Sequence, residues 1–178
     1  MSYGGLQHIM RWHCRTNTAA RTALAFVALH GLLLLSLLIT APAAAQAPIK
    51  VGALQIEAPW LRATPGGAKV AAGYLRITNT GSEADRLLRA SMPLAARGEV
   101  HEMTMQNGVM HMSPAAGGLT IAPGKTVELR PGGFHLMFLD LKGALKEGQS
   151  VDVTLTFEKG GSATVPFPVG GLGGAPRM

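Results

Sequence analysis

Turn-forming punctuation governs what this chain can fold into. Thr64-Pro65-Gly66-Gly67, Asn79-Thr80-Gly81, Asn107-Gly108, Ala122-Pro123-Gly124 and Arg130-Pro131-Gly132-Gly133 interrupt the sequence before any helical periodicity builds up. Between them lie short segments rich in Val, Leu, Ile and Thr, the pattern of a sandwich or barrel. Strands are expected over 49–58, 71–79, 85–90, 96–106, 109–113, 126–129, 135–141, 150–158 and 163–169. Alternation supports them: Leu75 and Ile77 face one way, Arg76 and Thr78 the other. In Val151-Asp152-Val153-Thr154-Leu155-Thr156-Phe157 the odd positions are apolar and the even ones polar, as in a half-buried antiparallel strand. One all-β domain, an antiparallel two-sheet β-sandwich with its strands inside 48–169, is the simplest fold.

The first 45 residues read as an export signal. Arg11, Arg15 and Arg21 give a basic start, and Ala23 to Ile39 is an apolar run broken only by His30, Gly31 and Ser36. Ala43-Ala44-Ala45 offers small residues for a signal peptidase, so cleavage is expected before Gln46. The alternative is an uncleaved anchor, the one route by which this chain would touch a membrane, but the run sits at the short edge of what spans a bilayer. The expected organisation is a signal peptide over 1–45, a β domain over 46–169 and a flexible Gly-rich tail over 170–178.

Export changes the charge. The whole chain carries a formal +6, and loss of the three arginines leaves 13 Lys and Arg against 10 Asp and Glu, or +3. These charges are scattered, with no basic run and no interleaved aromatics, so a nucleic-acid partner is not expected. The single cysteine, Cys14, precedes the apolar run and leaves with it. A mature domain without a thiol is held by its core alone. It also lacks the thiolate that a blue-copper carrier or a thiol–disulfide reductase requires.

The chemistry-bearing residues are concentrated. All three mature histidines (His101, His111, His135) and five methionines (Met103, Met105, Met110, Met112, Met137) fall between 101 and 137. A single strand Met is more often core filler than a ligand, but this coincidence argues otherwise. Asn107-Gly108 between two extended runs is a two-residue hairpin signal, since both turn residues need positive φ. That turn pairs Gln106 with Val109, Met105 with Met110, Thr104 with His111 and Met103 with Met112. His101, Met103, Met105, Met110 and Met112 then share one face, and His111 points away. His101 lies diagonal to Met112. In His135-Leu136-Met137-Phe138-Leu139, His135 and Met137 project together, and the Pro-Gly-Gly before them is a loop able to bring His135 to a rim. Two imidazoles and two thioethers within reach of one point suit Cu(I), because neutral soft sulfur does little for Zn(II), Mg(II) or Ca(II). Met103, Met105 and Met110 stand open between packing and an alternative ligand role. Glu99 and Glu102 are the nearest carboxylates, with Glu102 expected to face away from the His101 row.

At these residues the chain resembles the PCuAC family of periplasmic copper chaperones. His101, ten residues, Met112, then 22 residues and His135-Leu136-Met137 reproduce that family's His, Met, His-x-Met spacing. Ala68-Lys69-Val70-Ala71-Ala72-Gly73-Tyr74, Asn79-Thr80-Gly81, Met105-Gln106-Asn107-Gly108-Val109-Met110 and Leu129-Arg130-Pro131-Gly132-Gly133-Phe134-His135 match as well. The resemblance covers roughly residues 50–168. It implies a cupredoxin-like (Ig-like) sandwich, a periplasmic location and one Cu(I) per chain held by His101, Met112, His135 and Met137. It further implies delivery of copper to an acceptor such as a cytochrome c oxidase subunit. Some members add a His/Met-rich C-terminal extension, whereas the tail here has only Met178.

A closed shell of neutral ligands fits a carrier rather than an enzyme, which needs an open coordination position and a nearby acid or base. Carriage without catalysis is therefore expected. Two other readings stand beside it: periplasmic copper buffering or tolerance through the same site, and a copper-free Ig-like interaction domain whose Met row packs against a partner.

Overall fold

The computed structural model describes residues 47–176. The expected signal peptide, its cleavage point before Gln46 and the last two residues lie outside the described residues. Within them the regular structure is all β: β1 (Ile49–Val51), β2 (Leu54–Arg62), β3 (Val70–Asn79), β4 (Asp85–Ser91), β5 (Ala95–Gln106), β6 (Val109–Pro114), β7 (Leu119–Ile121), β8 (Thr126–Leu129), β9 (His135–Leu141), β10 (Ser150–Phe157) and β11 (Ser162–Gly170).

Three elements depart from expectation. The strand expected over 49–58 is a hairpin, with Val51 opposite Leu54 and Gly52 at φ +57, a conformation glycine adopts without strain. β2 then runs through Pro59 to Arg62. Ala58 at φ +46 and a register shift between Glu57 and Trp60 mark a bulge, where a residue without an N–H is tolerated inside a sheet. β7 was not anticipated; it pairs with β4 through Leu119 opposite Leu87 and Ile121 opposite Asp85.

The strands follow the order β6-β5-β9-β3-β2-β11-β10-β4-β7, with β1 beside β2 and β8 beside β3. The ladders are antiparallel except one. β11 pairs antiparallel with β10 from Ser162 to Pro168, then its last residues run parallel to β2, Val169 opposite Leu61 and Gly170 opposite Arg62. The antiparallel two-sheet sandwich expected from the sequence is present, and this short parallel contact is an addition to it, made because one strand is shared between the two layers and closes one side of the sandwich. Beyond it the segment turns back, with Gly174 N–H donating to the Gly171 carbonyl at 3.4 Å.

The core lies between the layers. Leu75 and Ile77 of β3, Leu136 and Phe138 of β9, Val153 and Leu155 of β10 and Val165 and Phe167 of β11 are essentially inaccessible to water. Each such side chain stabilises the fold by about 1.5–3 kcal/mol relative to exposure. β4 crosses β5 so closely that a Cβ on Gly98 would stand 2.1 Å from the Ala90 carbonyl oxygen, so only glycine fits there.

Buried polar side chains tie the loops. Asn79 donates to the carbonyls of Glu83 and Ile121 at 2.7 and 3.0 Å and accepts from Gly81 N–H at 2.9 Å. The Asp85 carboxylate accepts from Arg86, Lys159 and Gly160 N–H at 2.7, 2.9 and 2.8 Å, joining β4 to the β10–β11 turn. Burial pushes the Asp85 carboxyl up, but these backbone donors outweigh it and hold it below the usual range.

Candidate functional site

β9 carries both roles of the sheet on one strand. Leu136 and Phe138 enter the core, opposite Val100 and Gly98 of β5, so His135 and Met137 must emerge on the outer face. There His135 is in register with His101, Met137 with Glu99 on one side, and Met137 with Ala72 on the other. The imidazole centroids of His101 and His135 are 5.9 Å apart at 50°. Both rings are buried despite their outward direction, 8% and 6% exposed, rather than displayed at a rim.

The break between β8 and β9 orients His135. β8 and β9 are successive partners along one edge of β3, separated by a tight loop in which Arg130 N–H donates to the Phe134 carbonyl at 2.7 Å and Gly133 N–H to the Arg130 carbonyl at 3.1 Å. Gly132 takes φ +81 in that turn. The loop leaves the Gly133 carbonyl facing His135, whose Nδ1 lies 3.0 Å away, while the same oxygen also meets Met103 N–H at 3.3 Å. A carbonyl can only accept, so Nδ1 carries the proton and Nε2 keeps its lone pair.

His101 is held the opposite way. Its Nε2 is 2.8 Å from the Glu99 carboxylate, which places the proton on Nε2. Nδ1 is left as the acceptor, and it is buried without a hydrogen-bond partner. Such an atom costs about 1–3 kcal/mol unless something takes its lone pair. Glu99 itself is one-third exposed and lies 3.7 Å from Arg97.

The hairpin stands where Asn107-Gly108 predicts. Asn107 and Gly108 have φ +51 and +77, and the rungs are Gln106–Val109, Met105–Met110, Thr104–His111, Met103–Met112 and His101–Pro114. Met112 is therefore diagonal to His101. Met103 and Met112 lean over a cavity of about 380 Å³ that is also lined by His135, Met137, Tyr74 and Pro131. Arg62 lines it too: its guanidinium sits 5.5 Å from the Tyr74 ring, which packs behind against Trp60 with centroids 4.5 Å apart. Burial raises the Tyr74 hydroxyl above its ordinary pKa, and Arg62 partly opposes this.

Three of the four expected ligands, Met112, His135 and Met137, thus share one cavity, and His101 stands beside His135 in the next strand. Met105, Met110 and His111 project from the exposed hairpin end. Glu99, read from the sequence only as a nearby carboxylate, is two residues from His101 on one strand, a spacing that puts both on one face and signals their contact; the Gly133 carbonyl had no such signal. Among the described residues no three His, Cys, Asp or Glu gather around a point.

The family model described as "Putative lipoprotein LpqE-like" matches residues 54–169. "Putative lipoprotein Lxx21020" of Leifsonia xyli subsp. xyli is 36% identical over 135 residues, 75% of this chain and 80% of its own. The copper-bound PCuAC domain from PmoF2 superposes with a TM-score of 0.60 at 26% identity, covering 71% of this chain and 99% of that one. The apo PCuAC domain from PmoF1 gives 0.59 at 28% identity, over 70% and 98%. The solution structure of CuI-DR1885 from Deinococcus radiodurans gives 0.51 at 30% identity, over 72% and 83%.

Proposed function

This chain belongs to the LpqE-like family, and from that premise we propose that it is an exported Cu(I) metallochaperone that carries copper to an acceptor protein. One observation carries the reading. Two neighbouring buried imidazoles each have one nitrogen engaged, by Glu99 and by the Gly133 carbonyl, and one nitrogen with its lone pair available. Hydrogen bonds of this kind are what fix metal-binding imidazoles in tautomer and orientation. With Met112 and Met137 at the same place, the donor set is two nitrogens and two thioethers, which favours Cu(I) over Cu(II) and over harder divalent ions.

Each residue then has a task. His101 and His135 hold the ion, with Nδ1 and Nε2 as the donor atoms. Met137, fixed on the sheet, and Met112, on the exposed hairpin, complete the shell. The Glu99 carboxylate offsets the single positive charge that four neutral ligands leave uncompensated, and neither partner needs to move a proton. Weak thioether ligands on an exposed arm are the ones an incoming thiolate displaces first, so release proceeds by ligand exchange. The copper centre of cytochrome c oxidase is the acceptor we favour, in the bacterial periplasm. The relatives are named lipoproteins, but the one cysteine of this sequence precedes the apolar run, and export by a cleaved signal fits it better than a lipid anchor.

Anaerobic titration of the protein against a chromophoric Cu(I) chelator tests this. The expected result is one equivalent withheld from the chelator, with imidazole and thioether scattering at the metal. Absence of competition would overturn the reading and leave the Met row as packing.

A further inference from the structure

The carrier reading uses Met112 and Met137 and leaves Met103, Met105 and Met110 without a task. β9 begins at His135, opposite His101, so the end of β5 beyond that pair has only β6 as a ladder neighbour. The hairpin is thus a two-stranded arm, and every residue of β6 is exposed. On one face of this arm the rungs Met105–Met110 and Met103–Met112 follow one another, so all four positions of that face are methionine. The other face is mixed, with Thr104, Gln106, Val109 and His111. Met105 and Met110 are 65% and 54% exposed, and the inner rung opens onto the cavity beside His135.

Packing does not account for such a face. Exposed strand positions are better served by β-branched or polar residues, and methionine brings neither. What it brings is a soft sulfur on a flexible stem. Cβ atoms within a rung are about 4.5–5.5 Å apart and diagonal neighbours about 7–8 Å, spans that long thioethers close around one ion.

We propose that Met103, Met105 and Met110 form a second, weaker site for a soft monovalent metal ion, Cu(I) or Ag(I), from which the ion passes through Met112 to the imidazole pair. The inner half of this path rests on the carrier reading; the outer site stands on the hairpin alone. Transfer is an exchange of neutral ligands, with no change in oxidation state and no proton released.

The test is an Ag(I) nitrate titration of the protein carrying ¹³C-methyl methionine, followed by NMR. The first equivalent is expected to shift the Met112 and Met137 methyls, and further Ag(I) to shift those of Met103, Met105 and Met110. A Met105→Leu/Met110→Leu double variant, which keeps the hairpin apolar and of similar volume, is expected to lose the second step and keep the first. Met105 and Met110 methyls that stay unshifted in several-fold excess Ag(I), or a double variant that retains both steps, would overturn the proposal. Outer methyls that shift while the inner step is missing would uphold the outer site and sink the carrier reading instead.

Discussion

His101 and His135 are direct partners across the β5–β9 ladder, and their rings lie with centroids 5.9 Å apart, tilted by 50°, with opposite nitrogens engaged. The Glu99 carboxylate holds one and the Gly133 carbonyl the other. In Glu99→Gln the side chain can still accept from His101 Nε2–H but its charge is gone. We expect the fold to be unchanged and Cu(I) affinity to fall about 10- to 100-fold, read by chelator competition. An unaltered affinity would remove Glu99 from the site.

Met137→Leu separates ligation from packing. Leucine keeps the apolar volume beside Ala72 and Tyr74, so thermal stability should change by less than about 1.5 kcal/mol. Cu(I) should then pass to a chelator that the unaltered protein resists. Retained copper in this variant would shift the ligand role to Met103.

His111 is the internal control. It sits opposite Thr104 on the exposed hairpin face away from the methionines. His111→Ala is expected to leave Cu(I) stoichiometry and affinity unchanged in the same titration, since His111 is not among the residues that line the cavity.

Asp85 sets an acid limit on stability. Its carboxyl is held below the ordinary range by backbone donors despite burial. The stabilisation is therefore complete above the unfolded-state value of about 3.9 and is lost as pH falls through the lower folded-state value. Asp85→Asn turns one acceptor into a donor facing N–H groups and should cost about 1–3 kcal/mol at neutral pH. Urea midpoints should fall less steeply for this variant as pH drops below the unfolded-state value of about 3.9.

Gly98→Ala tests the crossing of β4 over β5. A methyl 2.1 Å from the Ala90 carbonyl oxygen requires one backbone to move. The expected cost is about 1–3 kcal/mol or more, visible as a lowered melting temperature. A neutral substitution would mean that the two strands part easily.

What could be read in advance follows from range. The Asn107-Gly108 turn fixes its own register because turn chemistry and strand pairing are adjacent in sequence, and every rung it predicted is present. The same holds for the shared face of His135 and Met137. The side-by-side placement of His101 and His135 needed β5 and β9 to pair, 34 positions apart, and only the family resemblance pointed to it. The parallel contact of Val169 with Leu61 left no local mark at all. The expected strand ends at Ala58, whereas β2 continues through Pro59 to Arg62, and only a bulge reconciles a proline with the sheet. β7, Leu119-Thr120-Ile121, alternates for only three residues, too short a run to stand out.

β9 answers to two selective regimes at once. Its even-numbered residues Leu136 and Phe138 are answerable to folding, and a change there is felt by the whole sandwich. His135 and Met137 lie on the other surface of the same strand, so they can be exchanged while the interior keeps its shape. A lineage can therefore retune, or abandon, what the outer face holds in single steps that leave a folded descendant. The alternating pleat of one strand is enough to make this scaffold evolvable.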